Sequence, residues 1–175
     1  MGPRIETAYA GAFAGPPYHY DRARVKRALT GLAFAATQPG AAAVLAVAED
    51  GGGEVLGGAW GWVTPKGLRG PGTPYSELYS MVVRAVGGPD VAYSRLPGRF
   101  ELVELFVHPD AQGGGLGRAL VTAVLGGRPG WLLSWPSAHA YDVYARWGWQ
   151  ELGRFRNGRN TAVAVLTYDE EAGHG

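Results

Sequence analysis

The order of apolar patterns along the chain predicts an α/β fold: a mixed central sheet of about six strands with helices on both faces. Three observations carry that reading. Two apolar runs, 42–48 and 54–63, flank Glu49-Asp50-Gly51-Gly52-Gly53, which reads as a hairpin loop. From residue 99 onward, short apolar strands alternate with helix-like segments, as they do around a central sheet. Near the end, Asn157-Gly158 separates two further runs, and that dipeptide is a strong hairpin signal.

Taken in order, 4–13 has the apolar spacing of a short helix, and Gly15-Pro16-Pro17 stops it because proline cannot continue the ladder. Asp21 is placed to cap a second helix reaching about Ala36, with Val25, Leu29, Leu32 and Phe34 supplying its apolar face. The strand 42–48 is almost wholly apolar, so it is expected inside the sheet, covered on both faces. After the strand 54–63 come a loop to about Pro74, a helix over 75–86 and a flexible connection over 87–98. The remaining elements are a strand over 99–107, a helix over 115–125, and a strand over 131–135 stopped by Pro136. A helix over 138–147 follows, closed by Gly148, and then strands over 151–156 and 161–168. From Asp169 the chain reads as a frayed tail.

At 175 residues and 46% hydrophobic content, the chain is long enough for one domain with its own core, and a single domain over 1–175 is expected. Its formal net charge is +1 and no basic block is long enough to grip nucleic acid. The absence of cysteine excludes disulfides, thiolate metal sites and a cysteine nucleophile. No apolar run approaches the ~20 residues of a membrane helix, and the first residues lack the pattern of a signal peptide, so a cytoplasmic protein without a membrane partner is expected. His19, His108, His139 and His174 show no metal-ligand spacing, and no metal is expected.

The most informative stretch is HPDAQGGGLGRALV, His108 to Val121. Glycine raises the entropic cost of ordering a segment, so four glycines in five positions ahead of a helix need a reason in backbone geometry. A glycine-rich turn between strand and helix aims backbone N–H groups at the positive end of the helix dipole, where an anion binds. Arg118 strengthens the case, because a cation in a first helical turn opposes the dipole unless an anion is bound there. The P-loop pattern is absent, since neither Lys26 nor Lys66 lies near the loop. The dinucleotide pattern GxGxxG also fails, ending on Arg118 if begun at Gly113 and on Leu120 if begun at Gly115.

What fits is Gln112-x-x-Gly115-x-Gly117 after a strand and before a helix. It resembles motif A of the GNAT acetyltransferase superfamily, whose loop wraps the pyrophosphate of coenzyme A. Downstream, Tyr144-Ala145-Arg146-Trp147-Gly148-Trp149 resembles the family's motif B, a tyrosine four residues ahead of a Gly-aromatic pair. The resemblance runs from about Glu101 to Gly153 and more weakly over 42–63. It implies the GNAT fold, with splayed parallel strands at the coenzyme site, and acetyl-CoA as acyl donor.

By that resemblance, Gln112, Gly113, Gly114, Gly115, Leu116, Gly117 and Arg118 would hold the diphosphate, and the backbone of Leu105, Phe106 and Val107 the pantetheine arm and thioester carbonyl. Many relatives place an asparagine coenzyme ligand where this chain has Ser137, which can bond the coenzyme or cap the following helix. Transfer to an amine with a pKa near ~10 needs a base. Glu101 and Glu104 are the candidates; on a strand they point to opposite faces, and Glu101, at the position of the family's strand glutamate, ranks first. Tyr144 matches the family's general acid, although it could instead pack like Tyr141 on the same helical face. The family's usual first strand is missing ahead of the 4–13 helix.

The resemblance implies acetyl transfer to the primary amine of a small molecule. A protein lysine or N-terminal amine as acceptor, or a non-catalytic acyl-CoA-binding regulatory module, are the alternatives. The aromatic segments 13–20 and 73–97, the second with Glu77 and Asp90, would wall the acceptor site and suit a cationic amine, or would simply pack helices onto the sheet. A homodimer through the Asn157-Gly158 hairpin strands is expected if their edge is exposed.

Overall fold

The computed structural model describes residues 2–49 and 52–169. Its elements are α1 (Gly2–Phe13), α2 (Arg22–Ala36), β1 (Ala42–Val47), β2 (Val55–Val63), α3 (Ser76–Ala85), α4 (Pro89–Arg95), β3 (Phe100–Val107), α5 (Leu116–Leu125), β4 (Gly130–Ser134), α6 (His139–Arg146), β5 (Gln150–Arg156) and β6 (Ala162–Tyr168). The six strands form one mixed sheet in the order β1-β2-β3-β4-β6-β5. No helix among the described residues is long and apolar enough to cross a membrane.

The chain divides into two compact units, Met1–Trp62 with Leu102–Gly126, and Val63–Glu101 with Gly127–Gly175. In the first, Ile5, Ala8, Tyr9 and Phe13 recur at helical spacing and bury one face of α1 together with Val25 and Ala35 of α2, Trp60 and Trp62 of β2, and Phe106 of β3. Alternation along β2 serves two layers. Trp60 and Trp62 join the α1/α2 core, while Gly57 faces the other way, with Leu120 of α5 lying 3.0 Å from where a β-carbon would sit. Asp21 caps α2 as expected, its carboxylate accepting the Arg24 N–H at 2.7 Å.

In the second unit, Tyr79, Val82 and Val86 from α3 and its end, Ala92 and Leu96 from α4 and its end, Trp131 of β4 and Val165 of β6 form the core. Trp131 Nε1 donates to the buried Thr64 hydroxyl at 2.6 Å. β5 and β6 pair antiparallel, as do β4 and β6.

Several sequence expectations need correction. β1 is an edge strand that pairs only with β2, and Val47 is 47% exposed; the run reads as apolar because Ala42, Ala43 and Ala46 fill it, and alanine gains little from burial. The expected flexible connection 87–98 holds α4, with Gly88 at its N-cap, Pro89 in its first turn, Asp90 near its start and Arg95 near its end. Ser137 does not cap α6, because the cap position falls on Ala138 and Ser137 is exposed. The last hairpin turns over five residues, 157–161, in which the Asn157 side chain accepts from the Arg159 and Thr161 N–H groups and Asn160 takes the left-handed conformation. Asp169 is no loose end: it pairs with Arg99 at 2.6 Å. His174 lies outside the described residues.

Candidate active site

β3 ends at Val107, and the chain turns through a single 3-10 turn, Pro109–Ala111, into the glycine loop. Gln112 anchors the entrance. Its side-chain amide donates to the Val107 carbonyl at 3.1 Å and its backbone N–H to Pro109 at 3.2 Å. Gly113 and Gly115 both have φ of 83°, a conformation that side chains disfavour, and Gly115 is the N-cap of α5. The Gly115 carbonyl accepts the Ala119 N–H at 3.1 Å, closing the first turn. The N–H groups of Gly113, Gly114, Gly115, Leu116, Gly117 and Arg118 find no acceptor among the described residues. Gly113, Gly114, Gly115 and Arg118 are exposed, and Leu116 and Gly117 half-buried. The result is a solvent-facing row of donors at the positive end of a helix.

Of the strand residues ahead of the loop, Phe106 sends its ring into the core, 5.4 Å from Tyr9 and 6.0 Å from Trp60. Leu105 and Val107 are half-buried. Glu104 lies in the same unit as the loop and is half-buried beside α1. The fully buried Tyr9 donates its hydroxyl to Glu104 Oε2 at 2.6 Å. Burial lifts the Glu104 carboxyl to about 7, against the opposing pull of the Tyr9 hydrogen bond, the Leu105 N–H and the Arg24 charge. Burial and then the Glu104 charge push the Tyr9 hydroxyl far up, so it stays protonated and keeps donating. Tyr18, at the edge of the same aromatic group, is pushed up to about 12, chiefly by burial.

Glu101 has different surroundings. It is 6% exposed, and its carboxylate accepts the hydroxyl of Tyr79 on α3. Arg69 lies over the Tyr79 ring at 5.7 Å. Tyr144 on α6 is buried, its ring edge-on to Trp147 at 5.7 Å and Trp149 at 5.6 Å; Trp149 in turn stacks on Tyr168. Tyr141 does not share that setting. It donates to Glu151, and Arg154 donates to Glu151 and to Tyr141 in a surface cluster that holds the Glu151 carboxyl below its ordinary range.

The first unit therefore gathers Glu104, Leu105, Phe106, Val107 and the whole glycine loop, and the second gathers Glu101, Ser137 and Tyr144. Sequence reasoning passed over Tyr9 and Arg24. Tyr9 sits in the apolar stripe of α1 and reads as a core residue, and only its contact with Glu104 reveals the polar role. No group of three or more His, Asp or Glu residues among those described is placed to hold a metal ion.

Comparison with known proteins places this architecture. The family model described as the Acetyltransferase (GNAT) domain matches residues 41–151. Among solved structures, the Corynebacterium glutamicum protein described as histone acetyltransferase HPA2 and related acetyltransferase aligns with a TM-score of 0.57 and 24% identity, covering 94% of this chain and 88% of that one. The ribosomal-protein-S18-alanine N-acetyltransferase of Escherichia coli aligns with a TM-score of 0.56 and 16% identity, over 94% and 84% of the two chains. An acetyltransferase from Thermus thermophilus gives 0.53 and 16%, over 95% and 88%. At these identities the structures share the fold alone. A search of curated proteins gives no match. The family match spans well over half of the sequence and takes in both strands of the first hairpin, the glycine loop and the Tyr144 motif, so this chain belongs to the GNAT acetyltransferase family.

Proposed function

We propose that the protein transfers the acetyl group of acetyl-CoA to the primary amine of a small molecule by direct attack. The observation that carries this reading is the row of acceptor-free N–H groups from Gly113 to Arg118 at the start of α5. Such donors, added to the helix dipole and open to solvent, suit a diphosphate. Gln112, tied to the end of β3, fixes where the row points. The backbone of Leu105, Phe106 and Val107 would hold the pantetheine arm and polarise the thioester carbonyl.

Glu104 is the base in this reading. The sequence ranks Glu101 first, but Glu101 is enclosed with Tyr79, whereas Glu104 is half-buried and titrates near neutrality, where a base works best. At pH 8 Glu104 is ionised and takes a proton from the acceptor ammonium. The neutral amine attacks the thioester carbon, the carbon–sulfur bond breaks, Tyr144 supplies the proton that the departing thiolate takes up, and the nitrogen sheds its surplus proton to solvent, from which Tyr144 is reprotonated.

The test is release of free thiol from acetyl-CoA in the presence of amines, with coenzyme binding followed by calorimetry. Saturable, amine-dependent release that falls sharply in Glu104→Gln and in Tyr144→Phe supports the reading. Coenzyme binding without transfer to any small amine or peptide N-terminus would leave a binding module in place of an enzyme. No heat of binding at all would remove the coenzyme from the account.

A further inference from the structure

An aromatic strip connects Glu104 to a cation. The Tyr9 ring lies 4.6 Å from Phe13, Phe13 stacks on Tyr20 at 5.0 Å, and the Arg24 guanidinium lies 4.3 Å over the Tyr20 ring. Arg24 also donates to the Tyr20 hydroxyl at 3.4 Å. Phe13 is buried, while Tyr20 and Arg24 are half-buried, so the strip runs from the core to the surface.

Among the described residues, Arg24 makes no close ion pair with a carboxylate, although its charge acts on Glu104. Asp21 lies close in sequence, but its Oδ1 accepts the Arg24 backbone N–H in capping α2. The rest of α2 offers no acid, and Arg22, Lys26 and Arg27 add three more cations beside Arg24. Four cations in the first half of a helix oppose its dipole, so the surroundings of Arg24 favour an anion. A planar guanidinium with donors to spare matches a carboxylate in a two-pronged pair, and the half-buried Tyr20 ring beneath it holds the guanidinium in place for that pair.

We infer that the acceptor amine carries a carboxylate of its own, which Arg24 binds at one end of the aromatic strip while the amine is delivered to Glu104 at the other. Polyamines and other multiply cationic acceptors are turned away by the same charge. This rests on the acetyl-transfer reading above, and it narrows that reading from primary amines in general to molecules whose amine and carboxylate are several carbons apart, such as ω-amino acids.

The experiment compares kcat/KM for pairs of acceptors that share a skeleton and differ by the carboxylate: γ-aminobutyrate with propylamine, ε-aminocaproate with pentylamine, lysine with cadaverine. Each pair is run on the wild type, Arg24→Gln and Arg24→Lys. Because the two ammonium groups of a pair titrate differently, the readout is the change in their ratio between proteins. The inference predicts that the ratio falls roughly ten- to hundredfold from wild type to Arg24→Gln, the range of a charge-assisted hydrogen-bonded pair, with Arg24→Lys in between. It also predicts that the loss appears chiefly in KM for the carboxylate member. Circular dichroism confirms that the variants fold. A ratio that stays constant across the three proteins, with transfer intact, overturns this inference and leaves the acetyltransferase reading standing. No transfer to any acceptor by the wild type overturns both.

Discussion

Replacing Glu104 by glutamine separates what its carboxyl does in chemistry from what its ionisation does to the fold. The carboxyl stands at about 7 in the folded protein against an ordinary 4.5, with burial as the main cause. A carboxyl raised on folding binds its proton more tightly in the native state. Its contribution to stability is therefore complete below pH 4.5 and is lost as pH rises through 7. At about 1.4 kcal/mol per pH unit, the wild type loses roughly 3 kcal/mol relative to Glu104→Gln between pH 4 and pH 8, because the amide cannot ionise. For a chain of this length that difference corresponds to a change in Tm gap of roughly 5–10 °C. Thermal melts of both proteins across that range provide the assay, and every other titrating group cancels in the comparison. The same variant should lose about a hundredfold or more in acetyl transfer at pH 8, the contribution of a placed base. Melting curves that shift in parallel with pH, or a variant that keeps its rate, would refute the assignment of Glu104 as a buried base.

Three further outcomes follow from the same contacts. Tyr9→Phe removes a hydrogen bond that favours ionised Glu104, so the inflection in kcat/KM against pH should move upward by up to about one pH unit; an unchanged or lower inflection would contradict the contact's role. Gly115→Val forces a branched side chain into φ of 83°, and titration calorimetry should show coenzyme binding weakened about tenfold or more, with stability lowered by about 1–3 kcal/mol. Gly153→Ala drives a β-carbon into the Ala85 carbonyl oxygen where α3 lies on β5, so chemical denaturation should show a loss of about 3 kcal/mol, and a near-neutral result would mean that the two elements pack otherwise.

The parts of this fold that are legible in the sequence are those whose signal is local. The glycine loop is readable because its glycines, its preceding strand and its following helix are contiguous, and the Asp21 cap because Asp21 and the Arg24 N–H it accepts are three residues apart. α4 is also within reach: Pro89 in the first turn, with Ala92 and Leu96 four apart and both fully buried, marks a helix, but glycines at 87, 88 and 98 obscure it. The edge position of β1 is not readable, since strand order is a property of the whole sheet. Nor is the contrast between the two glutamates of β3. Their alternation is visible in sequence, yet the partners that distinguish them, Tyr9 and Tyr79, lie 95 and 22 residues away.

The most direct test of the coenzyme site follows the backbone amides themselves. In nitrogen–proton correlation spectra of the labelled protein, addition of coenzyme A should shift the amides of Gly113, Gly114, Gly115, Leu116, Gly117 and Arg118 strongly downfield, as expected for N–H groups that gain phosphate acceptors, and dephosphorylated pantetheine should not. If those six signals stay in place while the coenzyme binds, the diphosphate sits elsewhere and the loop does not perform the function proposed for it.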